Sequence, residues 1–405
     1  MLPEELQNLQ SLLEKYPKPE ENYFTYPLPK NWKKGLTQIQ FGKILEHLAT
    51  LGDEGITLHI SFPENTDDAF LNLKREIELA AKTINGKPIV SRIFFESDCI
   101  SVENAIDIIY ILNENFKIDY RGDISLAIDP RDFTDENLES LTDEGFNDFH
   151  FDFSEEFQTD PAKTEQIARL LLKFQNSGAK STELSFIYGY EKQTEDSAEE
   201  LLEKILKFHP NRLVLKPHSK ENLNYGMYFF IKDFLEKKGW YFIGNDLLAE
   251  EIDEWVEAQN TGKLGVNSFG YRINNSRHVL GFGKNSISFL VDIYIKGNSD
   301  YTYESELKND HFPVSYYFPM KLDDKIRKYT MTGLICNFVI FFDEFKIATG
   351  EDFIDYFSEE LVDMKPEIED GLIDILPDRF LISSKGELFL NHILSRFDKF
   401  LKKQA

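Results

Sequence analysis

The chain has 405 residues with 45 Lys and Arg against 71 Asp and Glu, a formal net charge of −26. That balance excludes nonspecific binding to nucleic acid or to an anionic membrane, both of which need a cationic surface. The 41% hydrophobic and 29% charged content reads as globular, the length suggests two or three structural units, and two cysteines are too few for a disulfide framework or a cysteine-built iron–sulfur or zinc site.

In chain order, residues 1–50 read as a short amphipathic helix followed by a proline-punctuated extended segment, KYPKPEENYFTYPLPKNW, expected to lie across the main domain. MLPEELQNLQ has no basic start and no apolar stretch, so no signal peptide is expected, and no run of about 18 apolar residues marks a membrane span. The expectation is a cytoplasmic protein without membrane or nucleic-acid partners.

Residues 51–310 read as a barrel domain, with successive βα units between about residues 55 and 246. Strands are predicted at Gly55–Phe62, Pro88–Phe95, Asp123–Ile128, Asn147–Phe153, Thr182–Gly189, Arg212–Pro217 and Trp240–Asp246. Helix starts are signalled by Thr134 and Thr194, and stops by Gly145, Gly178 and Gly239. The predicted fold class is α/β, a partial or complete parallel β/α barrel. Residues 311–405, from IRKYTMTGLICNFVIFF to FLNHILSRFDKFLKK, read as a helical C-terminal domain.

The order of short motifs along residues 13–400 resembles oxygen-independent coproporphyrinogen III oxidase, a radical S-adenosylmethionine enzyme of haem biosynthesis. The resemblance rests on Glu14-Lys15-Tyr16, Tyr23 to Pro27, Leu58-His59-Ile60, Asp129-Pro130-Arg131 and Glu144-Gly145-Phe146-Asn147. It continues through Ile187-Tyr188-Gly189 with Lys192-Gln193-Thr194, Phe242-Ile243-Gly244, Phe269-Gly270-Tyr271 and Leu334-Ile335-Cys336-Asn337-Phe338. It implies a radical S-adenosylmethionine barrel, yet it breaks where the chemistry would sit. The family's CxxxCxxC holds a four-iron four-sulfur cluster, and its three places read Pro63, Asp67 and Phe70. The family's Gly-rich turn, which admits the cofactor, reads Glu96-Ser97-Asp98-Cys99-Ile100. Its further cofactor contacts fall on Thr57, Ala127, Ser154 and Ser185, and its arginine in the extended segment is Asn22. No cluster and no S-adenosylmethionine are therefore expected, and the joint loss reads as a fold kept without its cofactor.

His59, Phe95, His150, Asp152, His218 and Asp246 are the remaining pocket candidates. Strand alternation turns His59, His150 and Asp152 inward, while His218 and Asp246 fall at strand ends. They read either as polar residues of an emptied site or as an acid, base or ligand, with His59 or His150 axial to a haem iron. Phe94, Phe95, Phe149, Phe151 and Phe153 read as core or as the walls of a flat tetrapyrrole pocket. Cys99 reads as inert or as a reactive thiol, and Cys336 as packing. The functions left open are a silent binding or regulatory protein, with a tetrapyrrole or haem-pathway enzymes as partners, an enzyme with new chemistry in the vacated mouth, and a residual coproporphyrinogen oxidase-type role in porphyrin biosynthesis.

Overall fold

A computed structural model of the chain describes residues 3–16, 23–51, 55–62, 64, 66–96, 100–131, 133–219, 223–244, 246–273, 277–298 and 301–401. Contacts divide the chain into two units. One comprises residues 33–228 and 275–319, the other residues 1–32, 229–274 and 320–405.

The first unit is built on six βα strands: β1 (Ile56–Ser61), β2 (Ile89–Glu96), β3 (Lys117–Ile128), β4 (Asp148–Phe153), β5 (Ser181–Tyr188) and β6 (Arg212–Pro217). They run parallel in that order. The crossover helices begin and end where their residues dictate. The hydroxyls of Thr134 and Thr194 accept the third backbone N–H of their helices, and Gly178 ends the helix Pro161–Ser177 at φ 82°. Sequence analysis did not find the strands that extend this sheet on its other side. β7 (Val279–Phe282) pairs parallel with β1, and β8 (Ile287–Leu290), β9 (Ile293–Gly297) and β10 (Val314–Pro319) follow antiparallel. A two-residue strand, Lys33–Lys34, pairs with β10 and ends the sheet, each ammonium lying over a tyrosine ring of its neighbour, Tyr317 and Tyr316.

Alternation gives the parallel strands two unlike faces. On one face Phe149 and Phe151 pack on Phe174 of the helix Pro161–Ser177, with centroids 4.4 and 5.0 Å apart; Phe153 meets Phe186, and Phe95 meets Phe146. All of these rings are 2% exposed or less. These phenylalanines are core. The opposite face is polar and carries the candidate site.

The helix Asp67–Ile84 is tied to the far side of the sheet by a buried carboxylate. Glu76 Oε2 accepts the Gly283 N–H at 2.7 Å and the Tyr303 hydroxyl at 2.8 Å. Gly283 stands at φ 98°, and a Cβ there would lie 1.9 Å from the Ser61 carbonyl, so only glycine fits.

In the second unit, Trp240–Gly244 pairs antiparallel with Leu247–Glu250, which corrects the prediction of a parallel strand ending at Asp246. Asp246 is instead in the turn, at φ 66°. The helices Leu322–Asn337, Phe342–Thr349, Phe353–Tyr356, Ser358–Asp363, Lys365–Glu369 and Leu390–Arg396 accompany a three-stranded sheet, and Phe345, Phe353, Phe357, Phe380 and Phe397 are fully buried among them. The N-terminal segment packs within this unit: the Tyr16 hydroxyl donates to Asp370 at 2.6 Å, and Tyr26 lies 6.3 Å from Phe400. Among the described residues no helix is long and apolar enough to cross a membrane.

Candidate functional site

The polar face of the parallel sheet is assembled by register. Thr57 is opposite Arg92, His59 opposite Phe94, Phe94 opposite Ser125, Ala127 opposite His150, His150 opposite Glu183, and Asp152 opposite Ser185. Arg212 follows opposite Glu183. Thr57, Ala127 and Ser185, three positions at which the resemblance expects cofactor contacts, thus share a face with His150 and with charged side chains that the sequence had not marked, Arg92, Asp148, Glu183 and Arg212.

Asp148 is at the centre of that set. Its carboxylate accepts hydrogen bonds from the Ser125 hydroxyl at 2.6 Å and from the Ser181 hydroxyl. His150 Nε2 lies 3.2 Å away, Arg212 3.7 Å and Arg92 3.9 Å. Arg92 also faces Asp123 at 3.7 Å, and His150 Nδ1 faces Glu183 at 3.1 Å. Burial disfavours the charged form of His150, but Glu183 and Asp148 outweigh it and raise its pKa to about 10. Against the same burial, the His150 and arginine cations hold Asp148 and Glu183 below the usual carboxylate range. The group is an imidazolium clamped between two carboxylates.

Both ring nitrogens of His150 face carboxylates, Nε2 towards Asp148 and Nδ1 towards Glu183. His59 differs in charge. Burial lowers its pKa despite Glu96, so the ring is neutral; its Nε2 meets Glu96 at 2.8 Å, and its Nδ1 is buried. In return Glu96, still 60% exposed, is held below its usual pKa by the His59 hydrogen bond.

The other candidates do not converge. Phe95 is fully buried on the opposite, helix-covered face, which removes it from a pocket with His59. Asp152 is exposed, 4.0 Å from Lys216, and His218 pairs with Glu155 at 2.9 Å. Asp246 belongs to the second unit. Ser154 precedes the short helix Glu155–Thr159, where its carbonyl accepts the Phe157 and Gln158 N–H groups. Thr57 and Ser185 are buried, and Ala127 is partly buried.

Of the family's cluster positions, Asp67 and Phe70 are in the first turn of the helix Asp67–Ile84, capped by the Thr66 hydroxyl. Asp67 is exposed, where a carboxylate complements the helix dipole, and Phe70 is half-buried. Pro63, Ser97, Asp98, Cys99 and Asn22 lie outside the described residues. Cys336 is buried in the second unit, where burial pushes its thiol up to about 12. Among the described residues no group of three or more His, Cys, Asp or Glu could hold a metal ion. Three thiolates for a cluster do not fit this set of side chains.

The arrangement of strands and helices has a solved counterpart. The structure superposes on coproporphyrinogen III oxidase from Escherichia coli, a radical S-adenosylmethionine enzyme, with a TM-score of 0.83 over 96% of this chain and 98% of that one, at 24% identity. The fold is that of a radical S-adenosylmethionine enzyme. By sequence the chain is homologous to proteins named oxygen-independent coproporphyrinogen III oxidase. It is 26% identical to that of E. coli over 98% of this chain and 96% of the relative, and 29% identical to that of Salmonella typhimurium over 73% and 70%. No family model matches the chain.

Proposed function

We propose that this chain is a catalytically silent relative of oxygen-independent coproporphyrinogen III oxidase that acts as a binding or regulatory protein. The observation that supports this most is the state of the polar face. Thr57, Ala127 and Ser185 replace the residues expected to contact the cofactor, and charged side chains on the same sheet face pair with one another. Asp67 and Phe70 begin an ordinary capped helix, and a chain with two cysteines has too few thiolates for the relatives' cluster. At the end of β2 the Glu96 carboxylate, ionised and fixed by His59, adds negative charge where the family presents bare glycine backbone.

The test is anaerobic reconstitution with iron and sulfide, followed by calorimetry with S-adenosylmethionine. The expected outcome is no stable cluster and no measurable heat of binding. A stoichiometric cluster with cysteine-ligated spectra, or low-micromolar affinity, would overturn the reading.

The ligand to try first is a tetrapyrrole, because the relatives are named for acting on coproporphyrinogen. Any Soret shift on adding haem should be the same in wild type and in His150→Ala, since a clamped imidazolium does not ligate iron. A shift abolished in His150→Ala would restore axial ligation by that residue.

A further inference from the structure

We infer that Arg92, Asp123, Asp148, His150, Glu183 and Arg212 form an internal counter-ion assembly that takes the place of the cofactor in this unit, so that the sheet folds and stays folded with nothing bound on its polar face. This deepens the reading of a silent relative and rests on it.

A polar sheet face that has lost a bound group must collapse, fill with water or satisfy its own polar groups, because an unpaired buried charge is strongly unfavourable. Here the charges on that face are paired with one another. Three cations, the guanidinium groups of Arg92 and Arg212 and the imidazolium of His150, face three carboxylates, Asp123, Asp148 and Glu183. The six side chains come from β2, β3, β4, β5 and β6, so each strand of that run contributes to the assembly. Asp148 joins the most elements, with partners on β2, β3, β5 and β6 as well as His150 on its own strand. At the rim Lys180 reaches Asp123 at 2.6 Å. In register His150 stands opposite Ala127, and Glu183 is two residues before Ser185 on the same strand.

His150 makes the assembly readable by pH. The groups facing it are Asp148 on its own strand and Glu183 on β5, with Arg92 and Arg212 behind Asp148, Asp123 behind Arg92, and the Phe94 ring on β2 at 6.2 Å. Its folded pKa is raised, so its contribution is complete below the unfolded value near 6.5 and is lost as pH rises towards about 10.

The experiment combines nitrogen-15 NMR of the histidine rings at pH 8 with thermal melts of wild type and His150→Gln at pH 6, 8 and 10. The expected results are an imidazolium signature for His150 at pH 8 and a wild-type Tm that falls by several degrees from pH 6 to pH 10, with the fall reduced in His150→Gln. A neutral His150 ring at pH 8 overturns the inference even where the variant fails to fold, and so does an unchanged fall in a folded variant. The two readings fail separately. Binding of S-adenosylmethionine with His150 still an imidazolium would end the silent reading and leave the assembly standing, whereas a neutral ring without cofactor binding would do the reverse.

Discussion

The two faces of the parallel sheet are made by the same strands, one residue out of phase, and they are held by different physics. On the helix-covered face Phe95, Phe149, Phe151, Phe153 and Phe186 pack ring against ring with almost no exposed surface. On the other face Arg92, Asp148, His150, Glu183 and Arg212 are held by opposite charge. The difference teaches which positions of a fold are bound by packing and which are bound by charge. Packing constrains the apolar positions wherever the architecture persists, whereas the polar positions are free to change provided that their charges still sum and pair.

The largest effect that tests this contrast is expected from Phe174→Ala, which removes the ring shared by Phe149 and Phe151. A loss of about 3–5 kcal/mol in chemical denaturation is expected, the same at pH 7 and pH 10. Asp148→Asn should cost about 1.5–3 kcal/mol at pH 7 and less at pH 10, where His150 has begun to lose its proton. Equal losses at both pH values would show that Asp148 contributes through shape rather than charge.

A third test concerns Glu76, whose pKa burial raises to about 8 against the usual 4.5. The folded state then holds this proton longer than the unfolded state does, so its contribution is complete below about pH 4.5 and declines as pH rises to about 8. Urea titrations of Glu76→Gln across that window should show a flatter stability profile than wild type. The smallest effect belongs to Asp152→Asn, since its pair with Lys216 is exposed and spans 4.0 Å; a change within about 0.5 kcal/mol is expected in the same assay.

The six βα strands were legible in the sequence because their apolar runs are bounded by Thr caps and Gly stops; the structure sets five within one residue of the predicted span, while β3 begins at Lys117 rather than at the predicted Asp123. The strands of residues 279–319 were not, being short and interrupted by Gly281, Gly283 and Gly297, so that neither period emerges. Asp246 was misplaced because the apolar run from Trp240 was read past Gly244, where the strand ends, to Asp246, which stands at φ 66°. The site was half legible. Parity put His59 and His150 on one face, and the same rule, applied two residues back from His150, reaches Asp148. Adjacent Phe94 and Phe95 cannot both face His59, and the register gives that side to Phe94. What parity could not supply was the cross-strand register that brings Glu183 and Arg212 together, because that depends on the loops and helices between strands.

The short strand at the outer limit of the sheet bears on how the protein behaves in concentrated solution. Lys33–Lys34 offers a neighbouring molecule few backbone groups to pair with, and both residues are exposed, their ammonium groups over Tyr317 and Tyr316. A β-strand approaching that border meets positive charge before it meets a ladder, which disfavours edge-to-edge growth. A border of this kind offers little of the long apolar edge through which sheets recruit one another into aggregates.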